Sequence, residues 1–174
     1  MARPANNSVS AKSAPPPPPA AVPKAVVAPS VPEAPNPPAV LIAEPSLGYR
    51  SVLREALTAF RLCQVDETPS GERAFELALQ RTYQLFIFSF APEDMSGMLL
   101  NRLLAKAYPL THSGVRTAPP VIFIMRTEDT PVFQELQRDA RVRGALTYPP
   151  KLDVLLSLTN GILPERTTLP AYVP

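Results

Sequence analysis

Three short uncharged runs limit what this chain can fold into: A-V-L-I-A at 39–43, L-F-I-F-S-F at 85–90 and V-I-F-I-M at 121–125. Each is apolar at consecutive rather than alternate positions, as in a strand covered on both faces. The first ends at Glu44–Pro45, and the second runs out into Ala91-Pro-Glu-Asp-Met-Ser-Gly97. Segments with apolar residues at helical spacing lie between them. Val52, Leu53, Ala56, Leu57 and Phe60 follow a possible cap at Ser46. Ala74, Phe75, Ala78 and Leu79 follow a turn, Thr68-Pro-Ser-Gly71, whose Ser70 can cap. Leu99, Leu100, Leu103 and Leu104 give a third helix over 98–107, and a polar loop is predicted over 108–119.

Two weaker strands complete the pattern, Arg61–Glu67 and Ala145–Tyr148. Thr130–Pro131 opens a fourth helix carrying Val132, Phe133 and Leu136 and stopping at Gly144. A fifth carries Leu155, Leu156 and Leu158 to about Leu163. The order is βα repeated five times. Short buried strands alternating with helices require a parallel sheet covered on both faces. The expected fold class is α/β, a five-stranded doubly wound sheet of flavodoxin-like type with strand order 2-1-3-4-5. That order sets the carboxyl ends of strands one and three side by side, so Glu44 lies beside Ser89 where such sheets build their sites.

The folded part is expected to span 39–163, between a tail at 1–38 and a short one at 164–174. Residues 1–38 hold 12 of the 24 prolines, including the run Pro15–Pro19. They read as a disordered, polyproline-like spacer that can also contact a proline-binding groove. The net charge of +2 resides in that tail, and residues 39–174 balance 14 basic against 14 acidic residues. Nucleic-acid binding is therefore not expected. No apolar run reaches membrane-span length, and a cytoplasmic location fits. One cysteine, Cys63, reads as a small buried residue of the second strand, and one histidine, His112, lies apart from any metal-ligand spacing.

Four pieces together resemble the receiver domain of bacterial response regulators, the CheY-like family. They are V-D-E-T-P-S-G-E-R-A-F-E-L at 65–77, the interval from Ser89 to Gly97, P-V-I-F-I-M at 120–125, and G-A-L-T-Y-P-P-K at 144–151. The resemblance covers about residues 39 to 163. It implies a site of two acids after the first strand, an Asp that accepts a phosphoryl group after the third, a Ser or Thr after the fourth and a Lys after the fifth, with Mg²⁺ held by the acids. Carried onto this chain, those positions become Glu44 and Pro45, Ser89, Met125 with Arg126 beside it, and Lys151. Leu152 stands where the family usually has proline.

An acyl phosphate needs a carboxylate nucleophile beside a divalent cation, and Mg²⁺ prefers one or two carboxylates. Ser89 supplies neither, Met125 cannot donate to a phosphoryl oxygen, and Glu44 is the one remnant ligand. The reading is a pseudo-receiver that is not an enzyme, holds no cofactor and binds Mg²⁺ weakly or not at all. Glu44 and Lys151 are expected to pair across the top of the sheet with Ser89 between them. Glu93 and Asp94, past Pro92, are remote substitutes for the acceptor. The resemblance places a partner surface on helix four, strand five and helix five, with Arg138, Arg141, Arg143 and Tyr148. Function would lie in protein contacts within two-component or phosphorelay signalling. Two alternatives stay open: a true phospho-acceptor with unconventional ligands, and a small flavodoxin-like flavin or nucleotide binder, although no G-x-G-x-x-G or P-loop is present.

Overall fold

The computed structural model describes residues 36–166. The expected tail at 1–38 and its proline-groove role lie, up to residue 35, outside the described residues. The three apolar runs form β1 (Ala39–Ala43), β3 (Leu85–Ser89) and β4 (Val121–Met125), each buried along its whole length. With β2 (Gln64–Thr68) and β5 (Val142–Thr147) they make one parallel sheet in the order β2-β1-β3-β4-β5. This is the expected doubly wound α/β fold.

Helices α1 (Leu47–Phe60) and α5 (Leu152–Thr159) cover one face. They bury Leu53, Ala56, Leu57 and Leu155 against Val40, Ile42, Leu85, Ile87, Ile122, Ile124 and Leu146. Helices α2 (Gly71–Gln80), α3 (Gly97–Thr111) and α4 (Thr130–Leu136) cover the other. There Ala74, Ala78, Leu100, Leu104 and Tyr108 pack on Leu41, Phe86, Phe88 and Phe123. Side chains of a strand alternate between faces, so each strand contributes to both layers.

Several expectations are corrected. The buried stripe of α3 is Leu100, Leu104 and Tyr108, whereas Leu99 and Leu103 are exposed. Val52 and Phe60 of α1 also face outward. Helix α3 runs to Thr111, into the first four residues of the stretch 108–119 predicted as loop, with Pro109 inside it, and the rest of that stretch is loop. Tertiary packing explains this. The Tyr108 ring meets Phe86 edge-on at 5.6 Å, and its hydroxyl accepts from the Tyr83 N–H at 2.6 Å. That anchorage outweighs the local preference of the residue before a proline for extended backbone. His112 closes the helix, its ring tilted against that of Tyr108 with centroids 4.2 Å apart.

Cys63 is buried but precedes β2 rather than lying in it. Helix α4 stops at Leu136, well before Gly144, and β5 starts at Val142. The reason is Asp139. Its carboxylate accepts from the Arg141 N–H at 3.0 Å and its carbonyl from the Val142 N–H at 2.9 Å, which turns the chain back into the sheet. Helix α5 stops at Thr159, and residues 164–166 still pair with the α1–β2 connection through Leu62 N–H to Pro164 O (2.9 Å) and Arg166 N–H to Phe60 O (3.0 Å).

Candidate functional site

Strand alternation decides which side chains meet at the carboxyl edge of the sheet. In β1 the α1/α5 face takes Val40 and Ile42, so the next member of that row is Glu44. In β3 the row Leu85, Ile87 leads to Ser89, and in β5 Leu146 leads to Tyr148. The β4–β5 ladder continues to this level, with the Tyr148 N–H donating to the Met125 carbonyl at 3.1 Å. Three polar side chains from three strands therefore converge on one row.

Their hydrogen bonds form a chain. The Tyr148 hydroxyl donates to Glu44 Oε2 at 2.5 Å and lies 2.9 Å from Ser89 Oγ. The other Glu44 oxygen accepts from the Ser46 N–H at 2.8 Å, and Ser89 Oγ accepts from the Ala91 N–H at 3.1 Å. With the Tyr148 proton committed to Glu44, the Ser89 hydroxyl donates to the phenol oxygen. Glu44 is 1% exposed and Ser89 is fully buried, so these bonds offset a desolvation cost that neither group could bear unpaired. The Tyr49 ring of α1 closes the outer side, 5.0 Å from the Tyr148 ring. Burial, then the hydrogen bond to Glu44, pushes the Tyr148 phenol well above its ordinary range, so it remains a neutral donor.

The other expected site residues are placed elsewhere. Lys151 is exposed, at the cap position of α5, and makes no hydrogen bond or ion pair with Glu44 or Ser89 among the described residues. The expected Glu44–Lys151 pair is therefore absent, and the Tyr148 phenol stands between Glu44 and Ser89 in its place. Met125 packs into the opposite layer with α2, α3 and α4. Arg126 lies on the rim of the pocket beside Pro45 and Tyr49, with its side chain 3.5 Å from Glu128. Arg50 reaches in from α1 but bonds the Glu44 carbonyl, at 2.7 Å, rather than its carboxylate.

Asp94 serves as a cap. It accepts from Ser70 Oγ at 2.6 Å and from the Gly71 and Glu72 N–H groups at 3.1 and 3.0 Å, tying the β3–α3 loop to the start of α2. These bonds, that from Ser70 foremost, hold its carboxyl far below the usual range. Of the arginines expected at the end of α4, Arg138 lies exposed in the turn after it, Arg141 pairs with Asp139 at 2.6 Å, and Arg143 lies exposed on β5.

No family model matches the chain, and no curated protein does either. Solved structures do. One is the REC domain of AraT, a response regulator from Geobacillus stearothermophilus, at 24% identity and a TM-score of 0.58 over 69% of this chain and 88% of that one. A Francisella response regulator's receiver domain is similar at 18% identity and a TM-score of 0.57, over 70% of this chain and 93% of that one. The signal receiver domain of an HD domain-containing protein from Pseudomonas fluorescens is similar at 16% identity and a TM-score of 0.61, over 73% and 94%. The chain has the receiver-domain fold.

Within the receiver fold, the edge that carries the family's phosphoryl chemistry is here the row Glu44, Ser89 and Tyr148. The donor set does not suit Mg²⁺. Glu44 already bonds Ser46 and Tyr148, Pro45 brings no ligand, and no group of three or more His, Cys, Asp or Glu among the described residues could hold a metal. Tyr148, read from sequence as a fixed core or interface aromatic within a possible partner surface, turns inward to Glu44 and Ser89. The signal was available: the period-two pattern through Leu146 and Tyr148 points both to the α1/α5 face.

Proposed function

We propose that this chain is a receiver-fold signalling module that carries no phosphoryl switch and acts by contact with other proteins, in the cytoplasm and without chemistry of its own. The observation that supports this is the Tyr148 phenol seated between Glu44 and Ser89. An acceptor site needs a carboxylate and an open cation position there. This chain has a hydroxyl in place of the carboxylate and a neutral aromatic donor filling the space beside it. Ser89 has no general base to activate it, since its bonded neighbours are the Tyr148 phenol and the Ala91 N–H.

Acetyl phosphate with Mg²⁺ tests the reading. Intact-mass measurement and phosphate-affinity electrophoresis are expected to show no incorporation. Acid-labile phosphate on the chain would overturn it in favour of a true acceptor. Ser89→Asp alone is expected to remain unphosphorylated, because Tyr148 still occupies Glu44; appreciable labelling of that variant would show that the phenol is no obstacle. Contact as the mode of action rests on the receiver fold together with the loss of the acceptor set. No helix among the described residues is long and apolar enough to cross a membrane.

A further inference from the structure

Between α1 and α5 runs an open groove of about 290 Å³ whose walls are exposed apolar side chains. Val52 and Phe60 on α1 are 53 and 50% exposed and Leu152 on α5 is 42% exposed, while Ala56 and Leu155 form the buried floor. Val52, Ala56, Ala59 and Phe60 share one side of α1 because they recur at three- and four-residue spacing. The charged side chains of the groove, Glu55 and Lys151, are exposed. A contiguous apolar strip that neither helix buries is a surface for something else to cover.

The backbone after α5 points to the occupant. Residues 164–166 run antiparallel to 60–62, with a bridge between Arg61 and Glu165. The Leu62 N–H donates to the Pro164 carbonyl at 2.9 Å and the Arg166 N–H to the Phe60 carbonyl at 3.0 Å. The chain thus passes residue 62, then 61, then 60, and its next residues set off from the Phe60 end of the groove in the direction of Val52. Arg61 holds this exit between the two helices by bonding Glu165 at 3.1 Å and the Leu156 carbonyl at 2.6 Å. Residues 167–174 read T-T-L-P-A-Y-V-P and carry no charged side chain. Extended, they reach roughly 26 Å, whereas the helix rises only about 12 Å from Phe60 to Val52. Pro170 and Pro174 restrict the residues before them to extended backbone. The three-residue period of such a chain sets Leu169 and Tyr172 on one side, about 9 Å apart. We infer that the α1–α5 groove is the docking site of this chain's own residues 169–173, with Leu169 near Phe60 and Leu155 and Tyr172 nearer Val52 and Leu152. A tether this short holds the segment at an effective concentration of about 1 mM, so an intrinsic affinity of about 0.1 mM keeps about nine-tenths of it docked. This strap goes beyond the contact-module reading and does not depend on it.

The chain has no tryptophan, so Tyr172→Trp in the full chain places a single reporter on the segment. Its emission is expected to be blue-shifted from that of a free peptide of residues 167–174 carrying the same tryptophan, and its quenching by acrylamide to fall several-fold. Both readings should be independent of protein concentration. Val52→Glu with Leu152→Glu changes only exposed side chains and should keep the far-UV spectrum. Charge in the apolar groove is expected to return emission and quenching to those of the free peptide. In the chain without the reporter, nuclear Overhauser contacts are expected from the Leu169 methyls to the Phe60 ring. Free-peptide emission in the full chain, no response to the groove variant, or absence of the Leu169–Phe60 contacts would overturn the strap. A blue shift that grows with concentration, with mixed isotope labelling placing the contacts between chains, would overturn it in favour of a second copy. Phosphate incorporation bears only on the switch-free reading, so the two proposals fail separately.

Discussion

Removing the Tyr148 hydroxyl leaves Glu44 Oε2 and Ser89 Oγ without the partner they share. Tyr148→Phe is expected to lower stability by about 1–3 kcal/mol, the cost of stranding buried polar atoms, read as a fall in the urea midpoint at unchanged slope. The same phenol gives a pH signature. Its folded-state pKa is raised above the unfolded value near 10, so its contribution is complete below that value and is lost as pH rises above it. Tyr83 and Tyr108 are raised as well, both first by burial. Absorbance at 295 nm should therefore show three of the five tyrosines ionising late, together with alkaline unfolding. In Tyr148→Phe one late tyrosine should vanish. Normal ionisation of all the tyrosines in the native protein would contradict the geometry.

Two loops at the sheet edge owe their shape to close backbone packing between elements. A Cβ on Gly97, at the start of α3, would lie 2.4 Å from the Ser89 carbonyl oxygen, and one on Gly71 would lie 2.1 Å from that of Met95. Gly97→Ala must push α3 off β3, and a loss of about 2–4 kcal/mol in chemical denaturation is expected, as for an overpacked site with a displaced backbone. Asp94 ties the same loops together from outside. Its lowered pKa stabilises the fold above the unfolded value near 3.8, and the contribution is lost as pH falls toward the folded value. The group is exposed, so solvent screens much of this. Asp94→Ala is expected to cost about 1 kcal/mol, the usual worth of a helix cap, with a shallower acid-side loss than wild type.

At this scale the limits of sequence reading are physical. Buried strands and the Ser70 cap were legible because hydrophobic runs and capping are local. The far end of α3 was not, since the contact of Tyr108 with Phe86 and Tyr83 is tertiary. The end of α4 was not, since Gly144 is a stronger textual stop than the Asp139 turn that ends it. In the site, Glu44 and Ser89 were legible from strand order. The place of Lys151 was not, because a matching interval in sequence does not fix which side chain the final strand turns inward.

Across the whole molecule, the buried Arg61 joins parts distant in sequence. Its guanidinium donates to the Leu156 carbonyl at 2.6 Å, to Thr159 Oγ1 at 3.2 Å and to Glu165 at 3.1 Å. Basic charge at the end of α5 also complements that helix's dipole. Arg61→Met keeps the apolar stem but loses all three bonds. It is expected to cost about 1–3 kcal/mol and to speed hydrogen exchange in α5 more than in β3. Equal acceleration in both elements would show that Arg61 holds no separate unit. At the opposite end of the sheet, Glu44, Ser89 and Tyr148 stitch β1, β3 and the end of β5 into one hydrogen-bonded seam. A device that reports an event must own two arrangements of similar free energy and a ligand that prefers one of them. On the function proposed above, a seam closed by its own side chains offers no such choice. On this reading, whatever the protein tells its partners is told by how much of it is present: a message written in copy number, set by synthesis and degradation rather than by a change of shape.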